Sequence, residues 1–361
     1  MTDLAPRKLI VTGGAGFIGS AYIRRVIEAT EWQVVNLDKL TYAASLEALA
    51  SAEASNRYRH VKLDICDGTG VDALLRTEHP DAIVHFAAET HVDRSIDGPA
   101  AFIQTNVVGT FTLLEAATRF CQSLDSTARG RFRFHHVSTD EVFGSLGAQG
   151  AFTETSPYQP NSPYSASKAA ADHLVRAWHH TYGLPVVVSN CSNNYGPFQF
   201  PEKLIPLMIA RAIAGQSLPV YGDGGNVRDW LFVDDHVEGL MAVLTRGRVG
   251  ESYDMGGGGE LRNIDLVKTL CGILDRLLPD SPHRPHERLI TFVADRPGHD
   301  RRYAIDPAKA VAELGWRPKD SLATGLEKTV SWYLAHRSWW QSVLDRKYDT
   351  GRLGLAGRDV A

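Results

Sequence analysis

A glycine-rich loop near the start of the chain constrains its fold more strongly than any other segment. The loop, VTGGAGFIGS (residues 11–20), leads directly into a helical pattern over residues 17–29. Its Gly14-x-Gly16-x-x-Gly19 spacing lets backbone N–H groups approach a pyrophosphate at the start of a helix, where the helix dipole favours negative charge. A glycine-rich turn without a ligand is the alternative, but the strand–loop–helix context favours dinucleotide binding.

Short β-branched runs alternate with longer helical patterns through the first half of the chain, which is typical of a parallel sheet covered by helices. The predicted helices fill 17–29, 100–121 and 163–182. The strand candidates are apolar enough for a sheet that is buried on both faces. They are KLIVTG (8–13), QVVNLD (33–38), RHVKLD (59–64), AIVHFAA (82–88), FRFHHVST (132–139) and PVVVSNC (185–191). We therefore predict an α/β fold with a Rossmann-type, doubly wound parallel sheet.

The composition of the sequence changes after residue 191. Glycine and proline become frequent, as in DMGGGGE (254–260). Such segments are typical of loops shaped around a ligand. We predict a dinucleotide-binding Rossmann domain over 1–191, to which 230–250 returns, and a smaller C-terminal substrate-binding lobe over 192–345. The glycine-rich segment 346–361 is predicted to be a tail.

Composition narrows the classes of function. The formal net charge of −4 over 361 residues gives no global basic field, so nucleic acid is not expected as a main partner. No apolar run approaches the roughly 18 residues of a membrane span, and we expect a cytoplasmic protein without a membrane partner. The histidine pairs at 135–136 and 179–180 are not accompanied by other residues at metal-ligand spacing, so no metal is expected. Scattered cysteines favour buried thiols in a reducing compartment: Cys66, Cys121, Cys191 and Cys271.

Acidic residues at predicted strand ends specify the dinucleotide. Asp38 follows Gly19 by nineteen positions, where a carboxylate accepts hydrogen bonds from the adenosine ribose and repels a 2′-phosphate. This favours NAD over NADP. Asp64 and Ile65 end the third predicted strand and would flank the adenine, although a helix cap is an equal alternative for Asp64.

A tyrosine and a lysine form a candidate redox pair. Tyr164 and Lys168 are four positions apart on the predicted helix that opens at Pro163, so they share a face. A nearby ammonium lowers the pKa of a phenol and makes it a usable base, and Thr139 would offer its hydroxyl to the reacting oxygen. A surface Tyr and Lys on an amphipathic helix is the alternative. The predicted cofactor-binding residues are Gly13, Gly16, Phe17, Ile18, Gly19, Asp38, Lys39, Asp64, Ile65, Ala87, Ala88, Tyr164 and Lys168.

Two adjacent acids, Asp140 and Glu141, end the predicted strand in VSTDEVFG (137–144). Carboxylates resist desolvation, so a stable core would not select them. A reaction that needs an acid and a base side by side would select them. Two close carboxyls in a dry cleft have separate pKa values, so that one can be protonated while the other is ionised. In the alternative interpretation Asp140 caps a loop and Glu141 points to solvent.

The glycine loop, Asp38, Thr139, Tyr164 and Lys168 together resemble the extended short-chain dehydrogenase/reductase family, and the match covers roughly residues 8–345. Within that family the finer resemblance is to the dTDP-glucose 4,6-dehydratases. The motifs that carry it are VSTDEVFG, FAAETHVDRSI (86–96), NSPYSASKAAADHLVRAWHHTYGLPVVVSNCSNNYGP (161–197), PEKLIP (201–206), VYGDGGNVRDWLFVDDH (220–236) and DRPGHDRRYAID (295–306).

This resemblance implies a hydro-lyase of deoxysugar (rhamnose-type) biosynthesis with NAD as cofactor and dTDP-glucose as substrate. The sugar is oxidised at C4, water is eliminated across C5–C6, and the hydride returns to C6, so that NAD is regenerated. The resemblance assigns Tyr164 as the base at the C4 hydroxyl, Glu141 as the base at C5 and Asp140 as the acid at C6. It also implies a homodimer through the helices predicted at 100–121 and 163–182, although their apolar residues could simply pack on the sheet.

The substrate diphosphate needs fixed cations. Arg228 and Arg296 match family positions that bind it, although ion pairs with the adjoining Asp229 and Asp295 are the alternative. The resemblance completes the substrate site with Thr90, Thr139, Asn194, Lys203, Leu204, Tyr221, Asn263, His299 and Tyr303. An asparagine at position 106 orders a backbone kink or a water in this family.

Three other functions compete with this interpretation. Relatives that only epimerise C4 tend to carry small or hydroxyl residues at the two positions of Asp140 and Glu141, which argues against a UDP-sugar 4-epimerase. A dehydratase for another nucleotide stays open, because base selectivity depends on pocket shape. A catalytically dead dinucleotide sensor would have little reason to keep Thr139, Tyr164 and Lys168.

Overall fold

The computed structural model describes residues 7–347. Its strands are β1 (Lys8–Thr12), β2 (Gln33–Leu37), β3 (Tyr58–Val61), β4 (Ala82–His85), β5 (Arg133–Thr139), β6 (Val186–Cys191), β7 (Asn193–Tyr195), β8 (Leu218–Tyr221), β9 (Val227–Arg228), β10 (Trp230–Phe232), β11 (Ser252–Met255), β12 (Leu261–Arg262) and β13 (Ile290–Val293). Its α-helices are α1 (Phe17–Ala29), α2 (Ala50–Glu53), α3 (Gly68–Glu78), α4 (Val92–Asp97), α5 (Pro99–Phe102), α6 (Thr110–Ser123), α7 (Ser126–Arg131), α8 (Pro163–Tyr182), α9 (Leu204–Ile213), α10 (Val233–Arg246), α11 (Asn263–Leu277), α12 (Ala308–Leu314), α13 (Leu322–Ala335) and α14 (Arg337–Lys347). A π-helical segment, Ile103–Gly109, joins α5 to α6.

Within these residues the main sheet has the strand order β3-β2-β1-β4-β5-β6-β11, and all neighbours run parallel. β4 lies at the centre, with Val84 opposite Val11 of β1 and His135 of β5. The six strands predicted from the sequence are confirmed. Sequence reasoning missed β11, because SYDM (252–255) is short and half polar and so gives no hydrophobic pattern.

Helices cover both faces of the sheet. On one face α1 and α10 pack together, with Tyr22, Val26, Val237 and Leu240 in a common apolar core. On the other face α3, α6 and α8 bury a second core around Phe120. The sheet is therefore doubly wound, and the predicted fold class is confirmed.

The chain returns from the second lobe to the main sheet through α10 and β11. The segment WLFVDD (230–235), at the start of the predicted return, contains β10, which pairs with β7 and not with the main sheet. The domain bounds at 1–191 and 192–345, with 230–250 assigned to the first domain, stay a prediction. The tail predicted at 346–361 lies outside the described residues, except for the end of α14.

Local sequence explains where α8 begins and ends. The side chain of Ser162 accepts a hydrogen bond from the backbone N–H of Ser165, the Ser165 hydroxyl completes a capping box, and Pro163 occupies the first turn. Gly183 ends the helix with a φ of 71°, in the left-handed region that glycine adopts without strain. The predicted bounds of 163–182 are confirmed, and Tyr164 and Lys168 are thereby held on the first two turns.

The helix predicted at 100–121 is interrupted by the π-helical segment, and Asn106 lies inside it. The Asn106 amide accepts a hydrogen bond from Glu89 N at 2.8 Å and donates to Glu89 O at 3.0 Å and to Ser167 Oγ at 2.8 Å. The side chain thus pairs with the backbone after β4 as a neighbouring strand would. π-Helical turns are often found at functional sites, and this one fixes the segment that carries Ala87 and Ala88.

The second lobe has its own apolar core, in which α9, α11 and α13 pack together. The short strand pairs β7–β10, β9–β12 and β8–β13 lie around this core. Among residues 7–347, none of the helices combines the length and apolarity that a bilayer crossing requires.

Candidate active site

A cavity of about 290 Å³ opens at the carboxyl ends of the central strands, where open parallel sheets bind their ligands. Every residue predicted to bind the cofactor lies on its wall, from the glycine loop through Asp38 and Asp64 to Lys168. The structure therefore brings together side chains and loops from four strand ends and from α8.

The glycines of the loop have different reasons to lack a side chain. A Cβ on Gly13, whose φ is +69°, would lie 2.6 Å from the backbone N of Ala87, and a Cβ on Gly19 would lie 2.4 Å from Gly13 O. Both glycines are required by the fold itself. A Cβ on Gly16 would have its nearest protein atom at 3.2 Å, a much milder contact, and α1 begins there without a side-chain cap. The space at Gly16 and the uncapped N–H groups fit a pyrophosphate.

Asp38 combines a structural role with a place on the cavity wall. Its Oδ2 accepts a hydrogen bond from Ala15 N at 2.9 Å, and its Oδ1 accepts one from Leu40 N at 2.8 Å. The carboxylate therefore fixes the glycine loop, and each oxygen keeps a further lone pair for a ribose hydroxyl. These features fit the adenosine end of NAD.

Asp64 lies on the same wall and is not a helix cap. Its Oδ1 accepts from Cys66 N at 2.9 Å, and its Oδ2 lies 3.3 Å from Lys39 Nζ. The cap of α3 is Asp67, whose side chain accepts from Gly70 N. Burial acts to raise the pKa of Asp64, but the Cys66 N–H and the Lys39 ammonium outweigh burial and lower it, so the carboxyl stays ionised.

The redox pair is buried and differs from expectation in one respect. Lys168 Nζ donates to Val137 O at 2.9 Å, and burial lowers the pKa of this ammonium. The pKa of Tyr164 is raised well above its ordinary value by burial and by the charge of Glu141, whereas the Thr139 hydroxyl acts to lower it. The predicted lowering of this pKa is therefore wrong for the protein alone, because burial and the charge of Glu141 outweigh the effects that lower it.

The two acids follow β5 in a short 3-10 turn, Asp140–Phe143, and occupy different environments. Glu141 is partly exposed and lies on the cavity wall, but Asp140 is fully buried and does not belong to the wall residues. Thr139 is the cap of the turn, since its Oγ1 accepts from Glu141 N, and it also donates to Asp140 Oδ1 at 3.2 Å. The interpretation with Asp140 as the cap and Glu141 in solvent is wrong. The expectation that both acids line one cleft holds for Glu141 only.

Burial and charge separate the titrations of the two acids. Burial, then the charges of Glu141 and Asp229, raise the pKa of Asp140 well above its ordinary value, and its Oδ2 has no hydrogen-bond partner within residues 7–347. Burial also raises the pKa of Glu141, but Arg296 and Arg228 oppose it. The arrangement therefore favours a protonated Asp140 beside an ionised Glu141.

A second cavity of about 210 Å³ adjoins the first, and Glu141 lies on the wall of both. The predicted substrate residues on its wall are Thr90, Asn194, Lys203, Leu204, Tyr221, Arg228, Asn263, Arg296 and His299. Tyr303 is an exception. Its ring lies beneath the Arg228 guanidinium at 4.2 Å and its hydroxyl donates to Asp300 Oδ2, so it supports the arginine and does not line the cavity.

The two predicted diphosphate arginines are not paired with the acids that adjoin them. Asp229 accepts hydrogen bonds from the backbone N–H groups of Gly257 and Gly259, while Arg228 donates to the carbonyl oxygens of Val227 and Asp300. The alternative of an ion pair between sequence neighbours is therefore wrong for Arg228.

Arg296 is likewise not paired with its neighbour, because Asp295 Oδ1 lies 2.6 Å from His299 Nδ1 and Arg296 Nη1 reaches Asp93 Oδ1 at 3.0 Å. The buried Arg296 Nε lacks a hydrogen-bond partner among the described residues. A partly buried guanidinium with an unused donor on a cavity wall fits an anionic ligand.

Sequence reasoning missed Asp93, Glu202 and Tyr42. Asp93 accepts hydrogen bonds from both Arg296 and the Tyr221 hydroxyl, the latter at 2.9 Å. Glu202 binds Arg94 and Tyr42. Asp93 and Glu202 stand inside the motifs FAAETHVDRSI and PEKLIP, but no local pattern indicates partners that are more than 100 positions away.

Comparisons with known proteins agree with this geometry. The family model described as GDP-mannose 4,6 dehydratase matches residues 10–329. A dTDP-glucose 4,6-dehydratase from Neisseria meningitidis is 57% identical over 351 residues, which cover 96% of this chain and 99% of that protein.

Solved structures show the same fold. The dTDP-glucose 4,6-dehydratase DesIV from Streptomyces venezuelae, solved with NAD and dTDP bound, is 48% identical with a TM-score of 0.84, covering 93% of this chain and 99% of that one. A UDP-glucose 4-epimerase from Thermotoga maritima reaches a TM-score of 0.80 at 27% identity, covering 91% of this chain and 99% of that one. Backbone shape alone therefore does not separate the two activities, and the site residues have to do so.

Proposed function

This chain belongs to the GDP-mannose 4,6 dehydratase family, and from that premise we propose that it is an NAD-dependent nucleotide-sugar dehydratase acting on dTDP-glucose. The product is dTDP-4-keto-6-deoxyglucose. The observation that carries this proposal is the position of Glu141, on the wall shared by the cofactor cavity and the second cavity, directly after the buried Asp140.

Bound NAD supplies the hydride acceptor of the first step, the hydride donor of the last step and, when oxidised, a positive charge at the nicotinamide. Tyr164 takes the proton of the C4 hydroxyl as C4 becomes a ketone. Glu141 then removes the C5 proton, which the ketone has made acidic. Asp140, which must turn from its buried position to reach the substrate, protonates the C6 hydroxyl and water leaves. Glu141 finally returns its proton to C5 as C6 is reduced.

This sequence leaves Tyr164 with one proton more and Asp140 with one proton less than at the start. Thr139 contacts Asp140, since its hydroxyl donates to Asp140 Oδ1 at 3.2 Å, and it acts to lower the pKa of Tyr164. We assign to Thr139 the return of the proton from Tyr164 to Asp140. The proton taken at C4 then replaces the proton given up at C6, and no exchange of Asp140 with solvent is needed.

The acids also separate this proposal from an epimerase. Transient oxidation at C4 requires Thr139, Tyr164 and Lys168 in either enzyme, but only elimination requires a proton donor and a base beyond C4. A fully buried, proton-bearing Asp140 next to Glu141 has no role in epimerisation and is costly to bury. The preference for thymine follows from the relatives, since dTDP is named in their activity.

We place the enzyme in the cytoplasm, in deoxysugar biosynthesis of the rhamnose type, and propose a homodimer. The homodimer is supported by four exposed apolar side chains on the stretch from α5 to α6 and on α8, namely Ile103, Val108, Phe111 and Tyr182. These lie away from the sheet face of their helices, and a four-helix contact would bury them. Light scattering that finds monomers at micromolar concentration would contradict this state.

The experiment that tests the function mixes the purified, NAD-loaded protein with dTDP-glucose, UDP-glucose and GDP-mannose in separate reactions. We expect a 4-keto-6-deoxy sugar, detected by its alkaline absorbance, from dTDP-glucose alone. Formation of a C4 epimer would support the epimerase instead, and a keto product only with another nucleotide would correct the base. Absence of any product from all three would leave a dinucleotide-binding protein.

A further inference from the structure

Three side chains connect the loop after β2 to the second lobe beside the cofactor cavity. The Tyr42 hydroxyl donates to Glu202 Oε1 at 3.1 Å, and Arg94 Nε donates to Glu202 Oε2 at 2.8 Å. The Arg94 guanidinium also lies 4.0 Å from the centre of the Tyr42 ring. We call Tyr42, Arg94 and Glu202 the cofactor clasp.

The clasp joins two opposite walls of the cavity. Thr41, Ala43 and Ala44 line it from the loop after β2, whereas Phe200 and Glu202 line it from the second lobe. The contact between these walls includes the clasp and the Tyr42 and Phe200 rings, which meet edge to face at 5.6 Å. At the end of the loop Trp339 Nε1 also donates to Ser45 Oγ at 3.2 Å.

Both ends of the loop are fixed to the glycine-loop side of the cavity. At one end Leu40 N donates to Asp38 Oδ1 at 2.8 Å, and at the other Ser45 N donates to Ala15 O at 2.8 Å. The middle of the loop is held to the second lobe by Tyr42. Breaking the clasp would free this middle while the glycine loop keeps its anchors.

Burial makes the Glu202 carboxylate dependent on the two side chains that donate to it. The Glu202 side chain is 2% exposed, so its carboxylate has lost most of its water and depends on Tyr42 and Arg94. Hydrogen bonds to an ionised acceptor are stronger than neutral ones. None of the three clasp residues is needed for the proton transfers at C4, C5 or C6.

We propose that the cofactor clasp retains NAD through the catalytic cycle by holding the loop of residues 39–45 against the second lobe. This inference rests on the proposed function, in which the hydride taken from C4 must stay in the site until it returns to C6. A reduced cofactor that left during turnover would strand a ketone and stop the enzyme. The loop is in this view the exit gate for the cofactor, and the clasp sets its opening rate.

The chain contains a matched control for the test. Tyr253, Glu313 and Arg248 form a second Tyr–Glu–Arg group, with the Tyr253 hydroxyl donating to Glu313 Oε2 at 2.9 Å and Arg248 Nε donating to the same oxygen at 3.1 Å. These residues do not line either cavity. Tyr42→Phe and Tyr253→Phe thus remove the same hydroxyl from the same kind of partner, at the cavity and away from it.

The measurement is the dissociation rate of NADH, followed by the loss of its bound fluorescence after mixing the loaded protein with excess NAD. Tyr42→Phe should raise this rate about tenfold, the effect of losing one hydrogen bond to a charged group. Glu202→Gln should raise it further, and Tyr253→Phe should leave it unchanged. The melting temperatures of the cofactor-free variants report any general loss of structure.

A Tyr42→Phe protein that releases NADH at the unsubstituted rate overturns the clasp. So does an equal increase in Tyr253→Phe. Because this assay contains no sugar nucleotide, its outcome is separate from the conversion of dTDP-glucose, which tests the function itself. In that second assay Tyr42→Phe should lose activity progressively during turnover and recover it when NAD is added.

Discussion

The two cavities that meet at Glu141 are built in different ways. The cofactor cavity includes small residues, namely glycines and alanines that follow strand ends and leave room for a ligand. The second cavity also contains charged side chains that other charged side chains hold in place, as Asp93 holds Arg296 from 203 positions away. The first kind of site is encoded locally, whereas the second exists only once the chain has folded.

The largest expected effect comes from Glu141, one of the residues that the two cavities share. Glu141→Gln removes the base at C5 while keeping the size and shape of the side chain. The rate of product formation should fall by at least about 10³-fold, within the range for loss of a general base. Exchange of the C5 proton into deuterated solvent should stop, and bound NAD should remain. Unimpaired elimination by this variant would remove Glu141 from the reaction.

The next effect should be confined to the second cavity. Arg296→Ala removes a partly buried cation from the proposed diphosphate site and leaves the buried Asp93 with only the Tyr221 hydroxyl. The KM for dTDP-glucose should rise about 100-fold, since losing a buried charged contact costs several kcal/mol. Arg301→Ala is the matched control, because its ion pair with Asp223 is exposed. A loss of NAD affinity in Arg296→Ala would show that Arg296 serves the cofactor cavity as well as the second cavity.

The cofactor side could be predicted from the sequence because its determinants are local. A glycine spacing, a strand end and a helix face each fix backbone geometry within a few residues, and all residues predicted there line the cavity. The arginine and lysine positions of the substrate side came from the family resemblance. The acidic residues Asp93 and Glu202 were not predicted. In the sequence their surroundings are typical of surface residues, and only the fold shows that they are buried.

The incorrect expectations have a common physical origin in burial. A 3-10 turn after β5 turns Asp140 inward and Glu141 towards the cavities, and no sequence pattern distinguishes this from two acids facing one cleft. Tyr303 likewise lies beneath Arg228. Burial also raises the pKa of Tyr164 where spacing to Lys168 predicted a lower one. Sequence spacing places such groups together but does not give their solvent exposure.

The proton path proposed for Thr139 predicts a smaller effect within the acid pair. Thr139→Val removes the hydroxyl that donates to Asp140 and keeps the shape of the side chain. In a single turnover, the NADH absorbance should decay about tenfold more slowly, within the range for general acid catalysis, and Thr139→Ser should restore the decay. If the Thr139→Val protein forms NADH slowly but consumes it at the normal rate, Thr139 acts only in the oxidation at C4.

The glycine loop allows a comparison within the cofactor cavity. Gly13→Ala should destabilise the fold by about 2 kcal/mol or more, because its φ is +69° and a Cβ would lie 2.6 Å from Ala87 N. Gly16→Ala meets the protein only at 3.2 Å, so its melting temperature should hardly change. Its affinity for NAD should instead fall about tenfold, since the methyl group occupies the pyrophosphate approach. Equal losses of stability would mean that Gly16, too, serves the fold.

The smallest expected effect is on stability and follows from the buried acid. Burial raises the pKa of Asp140 well above the value of about 3.9 that an unfolded chain gives it. At a pH between the pKa of the unfolded chain and the pKa of the folded protein, Asp140 keeps its proton in the folded protein but has released it in the unfolded chain. Stability contributed by the neutral carboxyl is therefore full below pH 4 and is lost as the pH rises towards the folded pKa.

Asp140→Asn keeps the shape and cannot titrate, so its gain in unfolding free energy over the unsubstituted protein should grow from pH 4 to pH 8, reaching about 1–2 kcal/mol. Asp223→Asn should show the opposite trend, because the Arg301 side chain and the Gly225 N–H lower the pKa of this exposed carboxyl to about 2. Its stabilising effect is present at neutral pH and is lost as the pH falls through the folded pKa. A pH-independent difference for Asp140→Asn would show that residue 140 is ionised in the folded protein, and it could then not donate the proton at C6.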